Sequence, residues 1–192
     1  MTTAGQVVAE SSAEAIIGAL LGRKCWHVAC GGCVGATFQL ALGGKVRRER
    51  PLRNPKLPES IRRSEGEFGL MIWCSWQLRD HKGPVTSSAD ESAGLETGLD
   101  RLRGKTICKV SVDDGWYLRV DFSGGLRLSV LPDHVGPEAS FDGNWEVWTP
   151  TRMYSIETDL TCLVEEREAA RQAPRQPRPD RWRAHRKAKA RK

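Results

Sequence analysis

Cys25-x4-Cys30-x2-Cys33, with Cys74 further along, is the densest set of metal-ligating residue types in the chain. The spacing is that of plant-type 2Fe–2S sites, in which thiolates wrap a cluster from a tight loop and a fourth arrives from afar. Cys25 and Cys30 lie five apart on an expected strand, which directs them to opposite faces. Cys74 alternates with Ile72 and Trp76 and so belongs to a core face. Trp26 and Val28 are bulky where a cluster loop needs small residues. Cys30-Gly31-Gly32-Cys33 makes half of a zinc knuckle, and no second Cys-x-x-Cys or His pair completes four ligands. The cysteines, Cys74 and Cys108 among them, are therefore expected to be structural, with no cofactor.

Two stretches are built for anions. Residues 45–63 hold Lys45, Arg47, Arg48, Arg50, Arg53, Lys56, Arg62 and Arg63 against Glu49 and Glu59. Guanidinium forks match phosphate and carboxylate groups, although such a loop can equally pair its arginines with the domain's own acids. Residues 167–192 carry 11 Lys/Arg against Glu168 and Asp180, which leaves 19 basic and 22 acidic side chains in the rest of the chain. The overall charge of +6 thus comes from this tail. Arg181-Trp182-Arg183, Arg186 and Lys187 combine cations with a stacking surface, a composition suited to non-specific nucleic-acid binding. Pro174, Pro177 and Pro179 and the scarcity of apolar residues predict a disordered, basic C-terminal tail.

Catalytic signals are few. Asp133-His134 could pair a base with an orienting carboxylate, with Cys33 as nucleophile, but nothing in the spacing brings them together. No nucleophile elbow, no phosphate-binding glycine loop and no carboxylate pair on one helix face is present.

The elements that would position these residues are mostly strands. Ser11-Ser12-Ala13-Glu14 fits a capping box opening a helix that ends near Gly22, with residues 1–10 loose. Lys24–Cys30 and Ala36–Leu42 read as strands, the second ending at Gly43-Gly44. Phe68, Leu70, Ile72, Cys74, Trp76 and Leu78 keep period two as one long strand. Leu95, Leu99 and Leu102 have helical spacing, and strands at 108–112, 118–122 and 126–130 form a meander. A strand over 151–157 and a helix carrying Leu160, Leu163, Val164 and Arg167 close the domain. Trp73/Trp76 and Trp145/Trp148, spaced by three, each send one ring outward, which suits a protein-binding patch.

The order helix, Leu-x-Gly, strands, Gly-Gly, Trp-bearing strand occurs twice, over about residues 13–80 and 92–157. The expectation is a mainly β (α+β) domain over 1–166, with antiparallel sheets from an internally duplicated helix–strand–meander unit. In this alignment Trp76 matches Trp148.

Cys25-Trp26-His27-Val28, the run from Gly35 to Gly43, Arg50-Pro51-Leu52-Arg53-Asn54-Pro55 and Glu65-Gly66-Glu67 mark a resemblance to a family of uncharacterised bacterial proteins, over about residues 20–150. The resemblance implies no activity and no functional residue.

No apolar run is long enough to span a membrane, and Glu10 and Glu14 stand where a signal peptide needs basic residues. The cytoplasm is the expected compartment. Three functions stay open. The first is a non-enzymatic interaction module binding a protein partner, of the kind found in bacterial defence or toxin–antidote loci. The second is a nucleic-acid-associated accessory protein using the tail. The third is an iron–sulfur or thiol redox protein.

Overall fold

Strands with one apolar face must bury it against a second layer. The computed structural model, which describes residues 4–30, 36–134 and 143–167, shows how this chain does so. In chain order the first half holds α1 (Ala4–Leu20), β1 (Cys25–Cys30), β2 (Phe38–Arg47), α2 (Glu59–Arg62), β3 (Ser64–Ile72), β4 (Ser75–Asp80) and β5 (Gly83–Ser87). The second half holds α3 (Ser92–Asp100), β6 (Ile107–Val112), β7 (Leu118–Phe122), β8 (Leu126–Leu131), β9 (Trp145–Trp148), β10 (Arg152–Ile156) and β11 (Cys162–Glu166). The strands form two antiparallel sheets, ordered β1-β2-β3-β9-β10-β11 and β5-β4-β8-β7-β6. Inward residues of both sheets, with Ile16 and Leu20 of α1 and Leu95 and Leu99 of α3, make one core. Fully buried side chains such as Leu40, Leu70 and Ile72 each contribute about 1.5–3 kcal/mol of burial.

Each half starts in one sheet and ends in the other. β3 runs into β4 through Trp73 and Cys74 alone, whose N–H groups both donate to the Asn144 carbonyl. The run from Phe68 to Leu78 is therefore two strands rather than one. Its alternation continues across the break because both sheets face the same core. In return, β9 leaves the second half to pair with β3, Ile72 opposite Trp145, while β8 pairs with β4, Val130 opposite Trp76.

Backbone contacts around residues 22–25 and 104–107 join the two halves. Gly22 N–H donates to Ile107 O at 2.9 Å and Gly104 N–H to Cys25 O at 2.7 Å, with φ of +76° and +80° at the two glycines. Cys25 N–H donates to Lys105 O and Ile107 N–H to Arg23 O, around the Lys24–Thr106 bridge. Trp76 Nε1 donates to Ala36 O at 2.7 Å, and Trp145 Nε1 to Trp116 O at 3.1 Å. A buried indole needs such an acceptor. Trp76 and Trp145 are fully buried, whereas Trp148 is half-buried.

Several expectations are corrected. α1 begins at Ala4, so Ser11–Glu14 lies within the helix instead of opening it. β2 passes through Gly43 and Gly44 to Arg47, absorbing them in an irregularity against β3 where Gly43 takes φ +71°. β1 carries a bulge between Cys25 and His27, which sends Trp26 and His27 away from the core and returns Val28 and Cys30 to Cys25's side. Cys25 and Cys30 are therefore not on opposite faces. The same shift between Ile107 and Lys109 leaves Cys108 exposed, not in the core. The expected closing helix is strand β11. Asp159 accepts from Thr161, Leu160 sits at φ +63°, and the turn sends the chain back along β10. Leu163 and Val164 are exposed, so no apolar helical stripe exists. Arg167 belongs to this framework, its N–H donating to Thr151 O.

Candidate functional site

The bulge in β1 begins the site. Trp26 and His27 emerge on the outer face of the six-stranded sheet, stacked at 5.8 Å and 27° between planes. Lys45 lies 4.8 Å over the Trp26 ring. Gln39 and Met71 alternate with core residues of β2 and β3 and face the same way. Trp148 lies across Gly69, opposite it in register; a Cβ on Gly69 would fall 1.8 Å from Trp148 Cζ2. Glycine is required there because the ring occupies the side-chain position. Met153 extends the surface on β10.

Residues 48–63 fold over this face. Leu52 N–H donates to Arg62 O, Arg62 Nε returns a bond to Leu52 O, and Arg48 N–H donates to Arg63 O. Leu57 and Ile61 line the space between loop and sheet. Arg48 donates from Nε to Ser64 O and from Nη1 to Glu65 at 2.9 Å. Arg167 reaches Glu65 from the other side at 3.8 Å and donates to Thr149 O at 3.0 Å. Between loop and sheet lies an open groove of about 870 Å³.

Its walls are mixed in charge. Arg48, Arg103 and Arg167 face Glu65, Glu96, Asp100 and Glu146. Ser155 donates to Glu146, Arg103 pairs with Asp100, and Glu96 forms no ion pair among the described residues. His27 is held below its ordinary value, first by burial and then by Arg103 and Arg48, so the imidazole is neutral at pH 7. Trp26 Nε1 and His27 Nδ1 are buried without a hydrogen-bond partner among the described residues.

The thiols of Cys25, Cys30 and Cys74 are protonated. Burial pushes Cys25 up to about 12, and its S–H donates to His27 O. Cys74 is pushed up to about 12 by burial and then by Asp133. Cys30 is raised by burial, Glu96 and Asp100. Thiols of this kind are poor ligands and nucleophiles. Among the described residues no group of three His, Cys, Asp or Glu is placed to hold a metal. Asp133 and His134 are both exposed, and Cys33 lies outside the described residues.

Of the arginines singled out from the sequence, Arg48 turns inward and is bound by Glu65, while Arg47, Arg50 and Arg53 are exposed. Arg181, Trp182, Arg183, Arg186 and Lys187 lie outside the described residues. As the tryptophan spacing implied, one ring of each pair is buried (Trp76, Trp145) and the other, Trp73 or Trp148, lines the groove. Met71, Met153 and Glu146 gave no sequence signal. Leu52, Leu57 and Ile61 did: apolar residues inside a basic loop mean that it folds back on something. Among the described residues no helix is long and apolar enough to cross a membrane. Comparison with protein-family models, curated proteins and solved structures finds no match.

Proposed function

We propose that this chain is a non-enzymatic interaction module that holds a segment of a protein partner in the groove over the outer face of the six-stranded sheet. One observation carries the reading. If the halves are taken as two copies of one unit, two parts without a counterpart, the 48–63 loop and Arg167, both line this groove. Residues 48–63 join β2 to β3, where the second half has only Ser123-Gly124-Gly125 between β7 and β8. Arg167 follows β11, which extends the second half beyond its match in the first. Decoration of a shared framework at one place marks that place as the working site.

The lining supports a peptide occupant. Trp26, Trp73 and Trp148 offer flat apolar area, and Met71 and Met153 offer adaptable thioethers. Four carboxylates against three arginines favour a segment carrying Arg or Lys beside an apolar anchor. A chemical reading has less support, because Cys25 and Cys74 are protonated and His27 Nδ1 has no hydrogen-bond partner among the described residues.

Selecting a random peptide display library on the full-length protein tests the proposal. Selected peptides should bind wild type and lose binding at least tenfold to Met71→Arg, which fills the groove floor with a charge, at an unchanged melting temperature. Equal binding to both forms, or no enrichment, would reject the groove as the site. A second reading, polyanion binding, draws on the outward exposure of Arg47, Arg50 and Arg53. Nucleic acid co-purifying with the protein and released by salt would favour it.

A further inference from the structure

We infer that the chain's own C-terminal segment around Arg181-Trp182-Arg183 occupies the groove and competes with an outside partner. This inference rests on the groove being a peptide site and names its regulation. The last described residue, Arg167, is itself part of the groove wall, bound to Glu65 and Thr149. The remaining 25 residues therefore start at the rim. Trp182 is fifteen residues further on, a path of about 50 Å fully extended and about 20 Å as a flexible coil. Either reach covers the groove. A tether this short presents its segment at millimolar effective concentration, enough to fill a weak site without any outside partner.

Charge and shape agree with this occupant. Residues 168–192 carry ten Lys/Arg against Glu168 and Asp180, while the rest of the chain is net acidic. The groove's four carboxylates exceed its arginines, and Glu96 stands exposed without an ion pair among the described residues. Trp182 is the one aromatic residue beyond Arg167, and it is flanked on both sides by arginine. An aromatic anchor between two cations fits an aromatic floor edged by carboxylates.

The methionines supply the readout. The chain has three, and Met71 and Met153 line the groove while Met1 stands at the start of the chain. Full-length protein with methyl-labelled methionine should show Met71 and Met153 resonances that move in Trp182→Ala, as the ring leaves. A free peptide spanning 177–187, added to the Trp182→Ala protein, should move them back, and the effect should fade as salt screens the arginines. Trp182→Ala should also bind a selected display peptide about threefold more tightly if the tail fills the groove two-thirds of the time. Unmoved Met71 and Met153 resonances in Trp182→Ala would overturn the inference. If display peptides still lose binding to Met71→Arg, the groove survives as a peptide site and only the tail as its occupant is refuted. If Met71→Arg also changes nothing, the groove reading fails with it.

Discussion

Gly69→Ala and Gly94→Ala make the same chemical change with opposite expected signs. At Gly69 the new methyl would sit 1.8, 2.2 and 2.4 Å from three atoms of the Trp148 ring. The neighbouring strands are held by the β3–β9 ladder, so the ring must leave the sheet. Re-exposing about 100 Å² of ring face at about 25 cal/mol per Å² costs about 2.5 kcal/mol. That lies within the range of about 1–3 kcal/mol for overpacked sites. For a domain of this size it lowers the melting temperature by about 5–10 °C. Gly94 lies in α3 with nothing within 4 Å of an added Cβ and an ordinary φ. Alanine there gains about 0.5–1 kcal/mol through lower unfolded-state entropy and better helix propensity. Thermal unfolding of the two variants, with the Trp148 indole resonance followed in parallel, checks both. A Gly69→Ala protein that melts with wild type and keeps that resonance would refute the packing of Trp148 on the sheet, and with it the groove floor.

Two further outcomes follow from the groove's electrostatics. Glu65→Gln leaves Arg48 and Arg167 facing each other without their shared carboxylate. It should cost about 1–2 kcal/mol, less than breaking a fully buried pair because all three side chains keep some solvent contact. Adding Arg48→Met should recover part of that loss in denaturant titration, and a Glu65→Gln protein as stable as wild type would discount the bridge. His27 has a folded-state pKa below its unfolded value, so between the two the unfolded chain binds more protons and stability rises with pH. Stability from His27 is thus full above about pH 6.5 and falls as pH drops toward the folded value. Melting curves from pH 8 to 5 should show a shallower acid loss in His27→Gln, and parallel curves would contradict the burial of a neutral imidazole.

Alternation was the most legible feature of the sequence. Apolar residues at every second position require a half-buried strand whatever its partners, so β7 and β8 and the inward set from Phe68 to Leu78 could be read directly. The tryptophan spacing likewise determined that one ring of each pair points out. Alternation is blind to which sheet a strand joins, however, because both sheets present the same kind of face to one core. The break at Trp73-Cys74 was decided by Asn144, seventy residues away, whose carbonyl takes both N–H groups. Bulges are equally silent in sequence. One extra residue opposite β2 turned Trp26 and His27 outward, and its counterpart exposed Cys108. β11 carries residues that suit a helix, and pairing along β10 overrode that local preference. The basic loop was legible as a charge cluster. Its direction was not: Arg48 turns in because Glu65, on a neighbouring strand, meets it there, while Arg47, Arg50 and Arg53 stay in solvent. Local periodicity follows from the chain's own covalent geometry. The groove exists only because residues distant in sequence meet on one face of a sheet.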